Sequence, residues 1–140
     1  MIQLITNRTQ ADVDSKAEKG SYGHEDLNRV EKAVEEIAAY FPQLGIGLTP
    51  VTKTDWARPG DYDPESWPTD GQMRRYLSNV EGIRDRLCPG QPLPESMEKL
   101  TWSGANEIEQ ALSRGQEAIP RIIQAWKYSG GFFAGEEMDL

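Results

Sequence analysis

Three separate stretches of this chain place apolar residues at three- and four-residue steps, and that spacing restricts what it can become. Leu27, Val30, Val34, Ile37 and Phe41 form the first stripe. Met73, Tyr76/Leu77, Val80, Ile83 and Leu87 form the second. Ala105, Ile108, Leu112, Ile119, Ile122/Ile123 and Trp126 form the third. Such a period puts one apolar face on a helix, and those faces are buried only against each other. The expected fold is all-α: a three-helix bundle with an extended N-terminal arm, a long Trp/Pro-rich loop and an aromatic C-terminal tail.

Punctuation sets the boundaries. The first helix should run from His24 to Tyr40, because Pro42 cannot continue it and restricts the residue before it. Thr69 with Gln72 three residues later is a capping box, so the second helix starts there and ends before Cys88-Pro89-Gly90. The third should open near Ser103 and reach Lys127, weakened near Ala118 by Gly115 and Pro120. Shorter helical turns are expected at Ala11–Lys19, capped by Thr9, and at Glu95–Leu100. Gly45–Val51 reads as extended. The chain is one domain: residues 1–20 an arm and short helix, 21–127 the bundle, 128–140 a docking tail.

Charge and composition exclude several classes. The 15 Lys and Arg face 23 Asp and Glu, a formal net charge of −8. That balance disfavours binding to nucleic acid, which needs a basic stripe, and to an anionic membrane surface. Met1–Arg8 has no basic stretch ahead of a long apolar run and does not read as a signal peptide. With one cysteine, Cys88, and one histidine, His24, neither an internal disulfide nor a thiolate zinc site can form. Asp61-Tyr62-Asp63-Pro64-Glu65 opens like a calcium loop. Ser66 then stands where Gly is required and Gln72 where a bidentate Glu is required. No nucleophile elbow or phosphate loop is visible. The expectation is no enzyme, no metal and no cofactor.

Two patterns remain. Each long helix carries an asparagine beside its stripe: Asn28-Arg29-Val30-Glu31, Asn79-Val80-Glu81 and Asn106-Glu107-Ile108-Glu109. One reading is a weak internal repeat whose amides meet inside the bundle and fix its register. The other is that Asn and Glu are simply common on helices. The second pattern is apolar surface at the extremities. Ile2 and Leu4 in the arm, Trp56 and Trp67 in the loop, and Trp126, Tyr128, Phe132 and Phe133 in the tail are candidate partner-binding residues. The arm invites strand addition to a neighbour.

Landmarks along nearly the whole chain resemble a family of small phage and prophage tail proteins of Gram-positive bacteria, also found as modules of larger tail or minor structural proteins. They are Ile5-Thr6-Asn7-Arg8-Thr9, Ala11-Asp12-Val13, Asp26-Leu27-Asn28-Arg29-Val30-Glu31, Lys53-Thr54-Asp55-Trp56, Pro68-Thr69 with Met73, Tyr76-Leu77-Ser78-Asn79-Val80, Leu93-Pro94-Glu95-Ser96-Met97, Leu100-Thr101, Ala105-Asn106-Glu107-Ile108-Glu109 and Tyr128-Ser129-Gly130. Two departures stand out. Gly131 and Phe133-Ala134-Gly135-Glu136 replace the family's repeated Tyr-Ser-Gly-Glu, and only Ser15–Tyr22 remains of a longer segment before the first long helix. The resemblance implies a tail or baseplate setting, in the virion or a phage-derived injection device, with assembly in the host cytoplasm. It implies several copies in a symmetric array contacting tail or fibre proteins, and no particular chemistry. Two other readings stay open: an acidic regulatory or inhibitory module on a basic partner, and a carbohydrate-binding module using Trp56, Trp67 and Trp102.

Overall fold

The computed structural model describes residues 1–60 and 67–129, with side chains as far as Lys127. Among these residues the regular structure is helical and there is no strand. An extended arm leads into α1 (Gln10–Asp14) and a single 3-10 turn (Glu18–Gly20). Then come α2 (His24–Ala38), α3 (Phe41–Leu44), α4 (Asp70–Leu87) and α5 (Trp102–Ser129).

Local chemistry accounts for the boundaries. Thr9 accepts from the Asp12 amide while Asp12 accepts from the Thr9 amide, which starts α1. Thr69 and Gln72 do the same for α4. The first long helix ends at Ala38, earlier than the spacing predicts. Pro42 then stands in the first turn of α3, where its missing N–H is harmless. Gly45 closes α3 at φ 74°, and the Ile46 amide reaches back to the Phe41 carbonyl. The turn expected at Glu95–Leu100 is not helical, and Lys99 there takes φ 52°. α5 begins at Trp102 and continues through Pro120 without a break. One lost hydrogen bond is outweighed there by burial of Ile119 and partial burial of Ile122 and Ile123.

The three long helices pack against one another and point the same way. At one level Arg29 of α2 meets Glu109 of α5, and Glu31 meets Arg75 of α4. Further along all three, Ile37, Ile83 and Leu87 crowd around Gly115 of α5. Parallel neighbours need long crossovers, and the extended segments supply them. Residues 46–56 return along α2 and α4, from Leu48 beside Gly82 to Trp56 beside Asn28. Residues 88–101 return from the end of α4 to the start of α5. The arm runs the same way, from Ile2 beside Glu36 to Arg8 beside Asn106. The core between them is apolar, with Val30, Ile37, Val80, Ile83, Ile108 and Leu112 fully enclosed.

Gly115 sets how closely the helices approach. A Cβ there would lie 3.3 Å from Ile83 Cγ2 and 3.6 Å from Ile37 Cδ1. We expect Gly115→Leu to lower stability by about 1–3 kcal/mol through overpacking. Gly115→Ala should stay near neutral, its tight contact offset by the roughly 1 kcal/mol gain in helix propensity. Urea unfolding followed by circular dichroism tests the pair.

Candidate functional site

Two buried carboxylates organise the polar interior. Glu109 of α5 is fully buried, and both its oxygens are saturated. Oε1 accepts from the Ile5 amide at 3.0 Å and Arg29 Nε at 2.7 Å. Oε2 accepts from Arg29 Nη2 at 2.7 Å and from Arg8 Nη2. Asp26 takes a second contact from each arginine on Oδ1, while its Oδ2 caps the Gly23 amide at 2.7 Å. Two positive and two negative groups therefore balance in one cluster. Arg8 also donates to the Ile5 carbonyl and lies over the Tyr22 ring. Its Nε, buried, has no hydrogen-bond partner.

One helical turn before Glu109, Asn106 holds both backbone polar groups of Arg8. The Arg8 amide donates to Oδ1 at 3.0 Å, and Nδ2 donates to the Arg8 carbonyl at 2.9 Å. The same construction recurs on α2. The Trp56 amide donates to Asn28 Oδ1 at 2.7 Å, and Asn28 Nδ2 donates to the Trp56 carbonyl at 2.8 Å. Three residues on, Glu31 accepts from the Trp56 indole at 2.7 Å and from the forked guanidinium of Arg75 at 2.6 and 2.9 Å. In each clamp, Asn grips the backbone of one extended residue. Glu three residues later receives that residue's side chain and a fork from an arginine on a long helix. Asn79 of α4 makes a partial version, donating to the Val51 carbonyl at 2.8 Å.

The asparagine pattern is thus a repeat in three dimensions, although the amides do not meet. Asn28 and Asn79 face the 46–56 crossover and Asn106 faces the arm, extended segments that have no sheet partner for their backbone groups. Sequence reasoning picked out Asn28, Asn106, Glu31 and Glu109 but missed Arg8, Asp26, Arg29 and Arg75 as their partners. The available signal was a carboxylate directly beside a core position, Glu31 after Val30 and Glu109 after Ile108.

The candidate partner-binding residues have separate fates. Ile2 and Leu4 pack against the chain's own core. Ile2 is also held by Glu36 and Gln116, so the arm already has a place within its own chain. Trp56 is buried and engaged by Glu31. It is thereby lost as a sugar-stacking platform, and Trp102 is half-buried with its indole donating to Gln10. Trp126 is half-buried against the core. Trp67 is 53% exposed, its indole donating to the Gly60 carbonyl. Tyr128 belongs to α5, its side chain outside the described residues. Phe132 and Phe133 lie outside the described residues, as do Asp61–Ser66 of the calcium-loop candidate.

Trp67 borders an open groove of about 790 Å³ at the end of the molecule where α2, α4 and α5 begin. Its walls include Tyr22, Leu27, Trp56, Met73 and Leu100, with His24 and Arg58 as the cationic or ionisable nitrogen groups. No Asp or Glu is among its described lining residues. Among the described residues no helix is long and apolar enough to cross a membrane. In comparisons with known proteins, no family model, curated protein or solved structure matches the chain.

Removing the central carboxylate is the strongest test of this arrangement. Glu109→Ala leaves the buried Arg8 and the half-buried Arg29 without their main acceptor and should cost about 3–5 kcal/mol. Hydrogen exchange at the Ile5 and Arg8 amides should rise with it. The exposed control Glu117→Ala should stay within about 0.5 kcal/mol.

The alkaline limit tests the neighbouring hydroxyls. Tyr22 and Tyr76 hydrogen-bond to one another, and burial raises the pKa of both. The unfolded chain then loses these protons first. Their contribution is complete below pH 10 and declines as pH climbs from there toward the folded values. The slope should reach about 1.4 kcal/mol per pH unit for each tyrosine. Urea titrations between pH 9 and 11.5 should show that fall, and Tyr76→Phe should flatten it.

Proposed function

We propose that this chain is a structural component of a phage tail or baseplate, or of a phage-derived injection device. It serves as an adaptor between tail proteins or fibres, without a reaction of its own. In this reading a three-helix bundle is the rigid block, and its exposed aromatic surface makes the contacts. Several copies stand in a symmetric array in the virion tail, assembled in the host cytoplasm.

One observation carries the reading. Four of the landmarks that resemble the tail-protein family carry clamp residues, namely Arg8, Asp26, Asn28, Arg29, Glu31, Trp56, Asn106 and Glu109, while Arg75 lies outside them. In this chain those landmark residues build the device that pins extended chain to helices. Buried carboxylates held by arginine forks are committed to shape and leave no free acid or base among themselves. A rigid mount with an exposed Trp67 is what an adaptor requires.

The net charge of −8 favours a second reading, an acidic module that occupies a basic partner surface. Particle composition separates the two. An adaptor should appear in purified particles at a fixed copy number by quantitative mass spectrometry. Trp67→Ala, or a chain ending at Lys127, should lower that number several-fold. An acidic module would be absent from particles and would bind its partner with an affinity that collapses between low and high salt.

A further inference from the structure

We infer that the groove bordered by Trp67 receives the Phe132-Phe133 segment of a second copy, so that the chain associates head to tail. The inference stands apart from the particle setting, since self-association needs no phage particle.

The directions of the helices make the geometry. α2, α4 and α5 start at one pole, and the groove lies there, with Tyr22, Met73 and Leu100 in its walls. α5 has 28 residues, so its last residue, Ser129, stands about 40 Å away along the axis. Phe133 is four residues beyond Ser129, a reach of at most about 14 Å even when fully extended. The two phenylalanines therefore cannot enter the groove of their own chain. A neighbour stacked on the same axis brings its tail to that place.

The chemistry of the two partners matches. The groove offers aromatic and sulfur-bearing walls, Trp56, Trp67 and Met73, suited to phenyl rings. Arg58 and His24 are among its described lining residues. The tail continues after its rings with Glu136, Glu137 and Asp139. Rings in the groove would set those carboxylates near Arg58 at the mouth. A groove at one pole and its occupant at the other make a heterologous contact, which closes into rings or extends into columns.

Sedimentation velocity of the full chain, up to about 0.5 mM, tests this at the weak end of protein affinities. Wild type should form species larger than the monomer in a concentration-dependent way. Phe132→Ala with Phe133→Ala removes the tail rings, and Trp67→Ala removes the exposed wall. Each should weaken association at least about tenfold. Trp67 is exposed, so that variant should fold; equal urea midpoints confirm it. A mixture of the tail variant and the groove variant retains one good groove and one good tail, and should yield heterodimers and nothing larger. A wild type that stays monomeric overturns the inference, as does association that neither variant weakens, or a mixture without heterodimers. If the wild type is monomeric while Trp67→Ala still lowers incorporation into particles, the groove serves another protein and the adaptor reading survives.

Discussion

A carboxylate with no exposure to solvent stands at the centre of the molecule, and the placement of the N-terminal segment follows from it. Burying an ionised Glu costs several kcal/mol unless its oxygens are filled. Glu109 meets that demand with four donors from three residues: Ile5 and Arg8 of the arm, and two nitrogens of Arg29 on α2. The arm is therefore as much a part of the interior as either helix. Its removal would leave Glu109 with only Arg29, and Asp26 with one guanidinium instead of two.

The second carboxylate repeats the logic and shows why the logic is needed. Three parallel helices cannot be joined by short turns, so the chain must travel back along the outside twice. Returning chain without a sheet carries unpaired amides and carbonyls wherever it is covered. Asn28 and Asn106 each present an acceptor and a donor side by side, the pattern a neighbouring strand edge would show. The Glu one turn later adds a specific test of the residue being held. At Glu31 it accepts an indole N–H and at Glu109 a guanidinium, so Trp56 and Arg8 are not interchangeable with other large side chains. Apolar contacts tolerate sliding along a helix, whereas a forked arginine and a two-point amide hold one register.

This division explains which parts of the fold were legible in the sequence. The long helices were readable because their stripes and capping boxes are local signals: Thr69 with Gln72 and Thr9 with Asp12 operate over three residues. The helical class and the approximate spans followed from them. The direction of the helices was not readable, because an apolar stripe is the same for parallel and antiparallel neighbours. The partners of Glu31 and Glu109 were hidden for a related reason, being 44 and 101 residues away in Arg75 and Arg8. Trp56, in an irregular segment rich in Pro and Gly, reads from sequence either as an anchor pinning the loop to the helices or as a partner-binding residue, and its burial against Glu31 answers to the first. Irregular backbone and burial coexist here, since Asn28 supplies the pairing that a helix or sheet would otherwise give. Pro120 was over-weighted, because one missing amide cannot outvote the apolar residues packed on either side of it.

Parallel order also has a consequence for how the molecule meets others. An antiparallel bundle offers similar ends, each mixing helix starts and stops. Here the pole with the starts of α2, α4 and α5 carries the groove, His24 and Arg58, and the opposite pole carries the end of α5. Ends so different suit the head-to-tail contact inferred above, which would join unlike surfaces. One clamp, Asn28 with Glu31, holds the first returning segment at Trp56, and the other, Asn106 with Glu109, holds the arm at Arg8, so both fix the register of extended chain that runs against the three helices.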